Sequence, residues 1–275
     1  MRILQIVAIT LGVLGIAGFS LAGCDKVQSQ NTLESIKQKN ELVVGVFGDK
    51  PPFGYINKEG QNDGFDVMIA KQIGKDLLGD EGKVKFILVE AANREEFLRS
   101  NKVDIMMANF TQTKERQERL DFAKPYMKVS LGVVSKDGAI TDISQLEGKT
   151  LIVNKGTTAD FYFTKHYPNI KLLKFEQNTE TFAALKDGRG DALAHDNTLL
   201  FAWSKENPDF QVGIKQIGDN DVIAPAVKKG NQELLEWLNA EMDKLRINGF
   251  LLEAYHEKLA PFFTDDVQAQ DIVFE

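Results

Sequence analysis

Short aliphatic runs alternate with amphipathic stretches along most of the chain, the pattern of an α/β protein. The run Leu42-Val43-Val44-Gly45-Val46 reads as a buried strand, and residues 67–78 carry apolar side chains at 67, 69, 70, 73, 77 and 78, a helical stripe. Ahead of them, Thr32 is placed to cap a short helix over 33–39. A strand at 84–89, a helix at 95–100 and a strand at 103–108 complete a first series. The strand Leu131-Gly132-Val133-Val134 suits a passage between lobes, and a second series follows it. This series has strands at 151–154, 171–175 and 192–194, with helices at 157–167, 178–186 and 197–206; Pro168 and Asn207-Pro208 end two of the helices. Residues 222–227 are extended and read as a second passage, and amphipathic helices at 232–248 and 250–259 are expected to pack back on the first lobe. The expected architecture is therefore α/β and two-lobed, with lobe 1 built from 40–130 plus 225–275, lobe 2 from 131–224, and a hinge at about 129–134 and 222–227.

The N-terminus follows a different pattern. Arg2 precedes an apolar run over 3–21 that closes in Leu21-Ala22-Gly23-Cys24, the order of a basic region, an apolar region and a small-residue cleavage site. The last four residues look like a bacterial lipobox, which implies removal of 1–23 and acylation of Cys24. An apolar run of this length also suits a membrane-spanning anchor. Residues 25–31 are polar and aperiodic, as a tether would be, so 24–39 reads as lipidated cysteine, tether and short helix. The mature body is expected on the periplasmic side of a bacterial membrane, lipid-anchored or exposed at the cell surface.

Composition narrows the partners. Lys and Arg total 33 against 40 Asp and Glu in 275 residues, a formal charge of −7, which argues against nucleic acid. Cys24 is the single cysteine, so neither an internal disulfide nor a thiolate metal cluster can form. With histidines only at 166, 195 and 256, a metal site is not expected either, nor is a cofactor.

An internal near-repeat is the most informative feature. Residues 97–109 can be laid over 184–196, each a helix end, a turn, an Asp, a short apolar strand and then a polar residue five positions after the Asp. Residues 42–48 resemble 151–156 in the same way. If the repeat is real, Asn109 and Asp196 occupy equivalent strand ends, where open α/β sheets place ligands.

Candidate chemistry gathers at these junctions. Gly156-Thr157-Thr158, between strand and helix, suits a carboxylate at a helix N-terminus, and equally an ordinary cap by Thr157. Asn109-Phe110-Thr111 is a similar junction followed by Arg116, whose planar fork matches a carboxylate or else sits solvated in the charged run 114–119. Asp196 suits an ammonium group, or caps the helix that begins at 197. One carboxylate receptor and one ammonium receptor from two lobes match a free amino acid.

These residues resemble family 3 of the periplasmic amino-acid-binding proteins of ABC importers. The resemblance runs through Asp49-Lys50-Pro51-Pro52-Phe53, Gly64-Phe65-Asp66, residues 108–116, Asp121-Phe122-Ala123-Lys124-Pro125-Tyr126, Leu146-Glu147-Gly148-Lys149, Lys155-Gly156-Thr157-Thr158 and the strand ending at Asp196. It implies a type II hinged fold, a monomer that closes on its ligand and docks on an inner-membrane permease. It also implies that Thr111, Arg116 and Thr158 hold the α-carboxylate, Asp196 the α-ammonium, Asn109 and Phe110 offer backbone groups, and Phe47 and Phe53 wall the side-chain pocket. Many members have Ser at Ala108 and an acid near Phe47, so the specificity of cationic-amino-acid or glutamine binders is not expected. Residues 90–94, 108–113 and 179–185 look most like the epsilon-proteobacterial cysteine-binding surface lipoproteins. Arg94 keeps aspartate or glutamate open if it aims into the pocket; its other reading is a surface partner of Glu95 or Glu96.

A lyase or dehydratase on the same fold is a competing reading, but no nucleophile and base are paired in the sequence, so no catalytic residue is assigned. Arg189-Gly190-Asp191 superficially suggests an adhesin, yet it lies within the repeat at a helix-strand turn.

Overall fold

The computed structural model of the chain describes residues 32–79, 83–265 and 267–274, so the leader, Cys24 and the tether lie outside the described residues. Thr32 accepts the Ser35 amide and starts α1 (Leu33–Lys39). β1 (Leu42–Val46) follows, and the proline-containing segment after it forms a small ribbon, β2 (Asp49–Lys50), β3 (Gly54–Ile56) and β4 (Asn62–Asp63), which no alternation in the sequence signals. α2 (Phe65–Leu78) starts two residues before its apolar stripe and buries Phe65, Val67, Ile69, Ala70 and Ile73. Gly74 lets it lie close on the sheet, since a Cβ there would stand 2.0 Å from Val84 Cγ2.

β5 (Val84–Leu88), α3 (Arg94–Arg99) and β6 (Ile105–Met106) complete the first series. β6 is shorter than the strand read at 103–108, although the amides of Asp104 and Met107 continue its bonding to the carbonyls of Val43 and Gly45. α4 (Lys114–Gln117), β7 (Leu120–Phe122) and β8 (Met127–Lys136) follow. The second series is β9 (Thr150–Asn154), α5 (Thr158–His166), β10 (Lys171–Phe175), α6 (Asn178–Lys186), β11 (Ala192–Asp196) and α7 (Asn197–Glu206). A long strand, β12 (Phe210–Ile223), is not foreseen by the sequence: three register shifts against β8 break the alternation that would reveal it. β13 (Ala226–Lys228), α8 (Gln232–Ile247), α9 (Phe250–Lys258) and α10 (Ala269–Ile272) end the described chain.

The strands form two five-stranded sheets of the same design, in the orders β5-β1-β6-β13-β7 and β10-β9-β11-β8-β12. In each, three parallel strands are followed by a fourth antiparallel to them and a fifth antiparallel to the fourth. The near-repeat is visible down to single bonds. Asp104 accepts the Val43 amide at 2.7 Å, Asp191 accepts the Thr150 amide at 2.7 Å, and each Asp returns its own amide to the same partner's carbonyl at 2.8 Å. Asp191, the last residue of the Arg-Gly-Asp tripeptide, thus has a structural role.

The strand at 131–134 does not cross between sheets as the sequence suggested; it is the middle of β8, paired on both sides within the second sheet. The chain passes between the sheets at 123–126 and 224–225, and the passages run side by side, with Ala123 N to Pro225 O at 2.8 Å and Tyr126 N to Ile223 O at 3.0 Å. Two adjacent hydrogen-bonded strands make a natural hinge. α9 packs on α2 and α8, after which the chain turns back to the hinge. There Val273 bridges Met127, and Lys128 Nζ donates to the Gln270 carbonyl at 2.8 Å.

Candidate functional site

The facing ends of the two sheets bring charged side chains together away from water. Asn109 sits just past β6, with φ +44°, and Asp196 ends β11, so the residues paired by the near-repeat meet across the cleft. Between them lies Lys50 of β2, 2% exposed, whose Nζ donates to Asn109 Oδ1 at 2.6 Å and to Asp196 Oδ2 at 2.8 Å. Burial pushes the Asp196 carboxyl up, but the Lys50 charge prevails and holds it well below the usual carboxylate range. Burial conversely lowers the pKa of the Lys50 ammonium, with Asp196 opposing. His195 is no partner in acid-base chemistry here: its Nδ1 accepts the Asp196 amide at 2.7 Å, and burial lowers its pKa.

Two guanidiniums complete the cluster. Arg94 is 3% exposed, which removes the surface alternative. Its Nε donates to Ala91 O at 3.1 Å and Nη1 to Ala108 O at 3.0 Å, while Nη2 reaches across to Gly156 O at 3.3 Å. Arg116 is equally buried, with Nη1 on Thr111 O at 2.8 Å and Nη2 on the same Gly156 carbonyl at 3.1 Å. The Phe110 ring lies against both, its centroid 4.4 Å from Arg94 Cζ and 4.5 Å from Arg116 Cζ. Burial lowers both arginines, Arg116 to about 10, and the nearby Arg116 charge lowers Arg94 further. Among the described residues, neither has a carboxylate within ion-pair distance. Buried cations without anions are costly, so the arrangement is suited to a ligand that supplies one.

Local sequence explains the positions. Thr113 caps α4 and accepts the Arg116 amide, setting Arg116 in the first helical turn. Gln112 N to Val222 O at 2.9 Å and Ala224 N to Phe110 O at 3.3 Å fix 110–112 on the hinge strand. On the other side Thr157 caps α5: its hydroxyl accepts the Asp160 amide and donates to Asn154 O at 2.6 Å, while the Gly156 amide donates to Asp160. Gly156 therefore turns its carbonyl, not its N–H, to the arginines, and Thr158 lies near Asp196, Oγ1 to Oδ1 at 3.5 Å. Phe47 and Phe53 are fully buried, their ring centroids 5.4 and 5.7 Å from Lys50 Nζ. Thus Phe47, Phe53, Arg94, Asn109, Phe110, Thr111, Arg116, Gly156, Thr158 and Asp196 converge, and the Thr157 side chain serves the cap.

Three side chains and one contact escape the sequence reading. Lys50 stands between Phe47 and Phe53, a lysine in an apolar, proline-containing stretch, and that context is a usable signal. Asp66 accepts the Asn109 amide at 2.6 Å and the Tyr126 hydroxyl at 2.8 Å, and burial pushes it up to about 7 against those bonds. Asp49 reaches from β2 to the other side of the cleft and accepts the Asn178 amide at 2.7 Å and Asn178 Nδ2 at 2.9 Å, at the start of α6. The contact that no sequence pattern could show is Gly156 against the backbone of Ala92.

Two lobes of one design, hinged by paired strands and meeting over a buried charged cleft, define a solute receptor. The family model of bacterial extracellular solute-binding proteins, family 3, matches residues 42–258, and the chain belongs to that family. It is similar to the solved solute receptor for L-cysteine of Neisseria gonorrhoeae, 58% identical, TM-score 0.87, over 89% of this chain and 100% of that one. The cysteine-binding protein of Campylobacter jejuni is 61% identical, TM-score 0.87, over 88% and 98% of the two chains. The ABC transporter glutamine-binding protein GlnH of Bacillus subtilis is 36% identical over 233 residues, 84% of this chain and 85% of that protein. Among the described residues no helix is long and apolar enough to cross a membrane.

Proposed function

We propose that the chain is the extracytoplasmic receptor of an amino-acid importer and that its ligand is cysteine, gripped between the closing lobes. The observation that carries this reading is the pair of buried guanidiniums, Arg94 and Arg116, with no carboxylate at ion-pair distance among the described residues, facing Asp196 of the other lobe across one cleft. Arg116, Thr111 and Thr158 receive the α-carboxylate and Asp196 the α-ammonium, sharing its charge with Lys50. Asn109 and Phe110 contribute backbone groups, Gly156 a carbonyl, Thr157 the helix cap beneath it, and Phe47 and Phe53 wall the side chain. Cysteine is favoured by the two receptors named for it, each more than half identical to this chain.

Closure brings groups of both lobes onto one ligand, so binding stabilises the closed form, which the membrane permease distinguishes from the open one. The reading includes no catalytic step. It holds the receptor as a monomer, tethered on the periplasmic side through lipid on Cys24, which mass spectrometry of the membrane-extracted chain would reveal as an acylated N-terminus. A second reading, aspartate or glutamate, is favoured by the third cation, Lys50, beside the side-chain walls. A thermal-shift screen of the twenty amino acids plus cystine, followed by calorimetry, tests both. Stabilisation by cysteine above all others is expected, and a chain that responds to none of them would overturn the receptor assignment.

A further inference from the structure

Lys50 carries three N–H donors, and two of them are engaged, by Asn109 Oδ1 and Asp196 Oδ2. Among the described residues the side-chain nitrogen of Asn109, Nδ2, has no hydrogen-bond partner, although the residue is 1% exposed and its Oδ1 is held by Lys50. Two uncommitted buried donors thus stand close together, that of Lys50 beside the Phe47 and Phe53 rings. An orphaned donor in so dry a place is unfavourable unless something accepts from it.

The charges around them have the same bias. Lys50, Arg94 and Arg116 are buried cations, and the buried carboxylates facing them are Asp196 and Asp66, with neutral His195 behind; Glu95, itself paired with Arg119, and the partly buried Asp221 act on the arginines from the rim. Burial pushes Asp66 up to about 7, which weakens its share of the negative charge near neutrality. The fully buried part of the cluster is therefore net positive, and a zwitterion, whose two charges cancel, leaves it so. A ligand whose side chain also bears a negative charge restores the balance.

We propose that Lys50 and Asn109 form the side-chain subsite of the receptor and hold the sulfur of bound cysteine as a thiolate. This rests on the reading of cysteine as the ligand. On entry the S–H bond breaks heterolytically: the electron pair stays on sulfur, which accepts from Lys50 Nζ and Asn109 Nδ2, and the proton passes to the buffer. Burial against Phe47 and Phe53 opposes ionisation of the sulfur, but the adjacent Lys50 ammonium and the Asn109 side-chain amide, both donating to it, favour thiolate over thiol.

The test is ultraviolet thiolate absorbance of the full chain mixed with cysteine at about pH 6.5, where a free thiol with pKa near 8.5 is only about 1% ionised. Calorimetry with cysteine, alanine and serine accompanies it, on wild type and Lys50→Met. A thiolate band appearing on binding is expected in wild type, together with a loss of at least about tenfold in cysteine affinity in K50M while alanine changes by less than about threefold. Cysteine bound without the band overturns the thiolate, whether or not K50M folds. Equal weakening of cysteine and alanine in K50M, with melting unchanged, overturns the subsite and leaves Lys50 a closure contact. Absence of any cysteine binding to wild type defeats the ligand assignment itself and is distinct from both.

Discussion

Gly156→Ala should separate lobe closure from folding. Gly156 has φ +77°, and a Cβ on it would stand 2.6 Å from Ala92 Cα and 2.8 Å from Ala92 N, backbone atoms across the cleft that no rotamer change can move. Ordinary contact begins at 3.4 Å, so the lobes must part by 3.4 − 2.6 = 0.8 Å at this point. That shift carries the Gly156 carbonyl beyond hydrogen-bond reach of Arg94 and Arg116, now at 3.3 and 3.1 Å. Each bond from a charged donor contributes about 1.5–3 kcal/mol. Because the two share one acceptor, a combined loss of about 3 kcal/mol is expected, about 100-fold in affinity. Within its own lobe the substitution carries only the left-handed penalty of about 1–2 kcal/mol. Gly188→Ala is the control: φ is +70° there too, but nothing lies within 4 Å of its Cβ. Calorimetric titration with the screened ligand, beside melts of the ligand-free variants, measures both quantities. The two variants should melt together and bind differently; G156A binding within about threefold of G188A would refute the role given to this contact.

Other expectations follow from the same geometry. Asp49→Ala removes three bonds to α6, one of them long, that exist only while the lobes touch; allowing for partial exposure, about 1–2 kcal/mol of closure is lost, and every amino acid that binds should weaken by a similar factor, roughly 5- to 30-fold by calorimetry. Asp196→Ala leaves Lys50 and the ligand ammonium without their anion, so affinity should fall by at least about 100-fold; unchanged affinity would remove Asp196 from the site. Asp66 binds its proton more tightly in the folded chain, at about 7 against 3.8, so its contribution to stability is complete below about pH 4 and lost as pH rises to about 7. Urea melts over that range should show a shallower decline in Asp66→Asn than in wild type, and parallel curves would contradict a protonated Asp66. Asp104→Ala removes a buried bond and should destabilise by about 1–3 kcal/mol, with Asp191→Ala, at the equivalent but exposed bond, milder; cell-adhesion activity altered by D191A without any change in stability would revive the adhesin reading.

Much of the fold is legible in the sequence because burial on both faces makes β1, β9 and β11 near-continuous apolar runs, and α2 and α8 keep a helical stripe. β12 is not, since its bulges break alternation, and the β2–β4 ribbon is too short for periodicity to register. In the site, Asp196, Arg94 and Arg116 are recoverable from position and charge. The apolar context of Lys50 hints at burial, but its role is not recovered because its partner is an acid 146 residues away, a pairing that local pattern does not encode. The Gly156 carbonyl, too, is exchanged for its N–H in any reading that knows the helix start but not Asp160's reach back to it.

The order in which the sheets use the chain has a bearing on how the protein is made. Every strand of the second sheet comes from one uninterrupted stretch, 127–223, whereas the first needs β13, at 226–228, to be inserted between β6 and β7. During synthesis the later-numbered half is therefore whole before the earlier one can close. The nascent first half must wait with an open slot in its middle, and its last strand arrives only after its twin has been completed beside it.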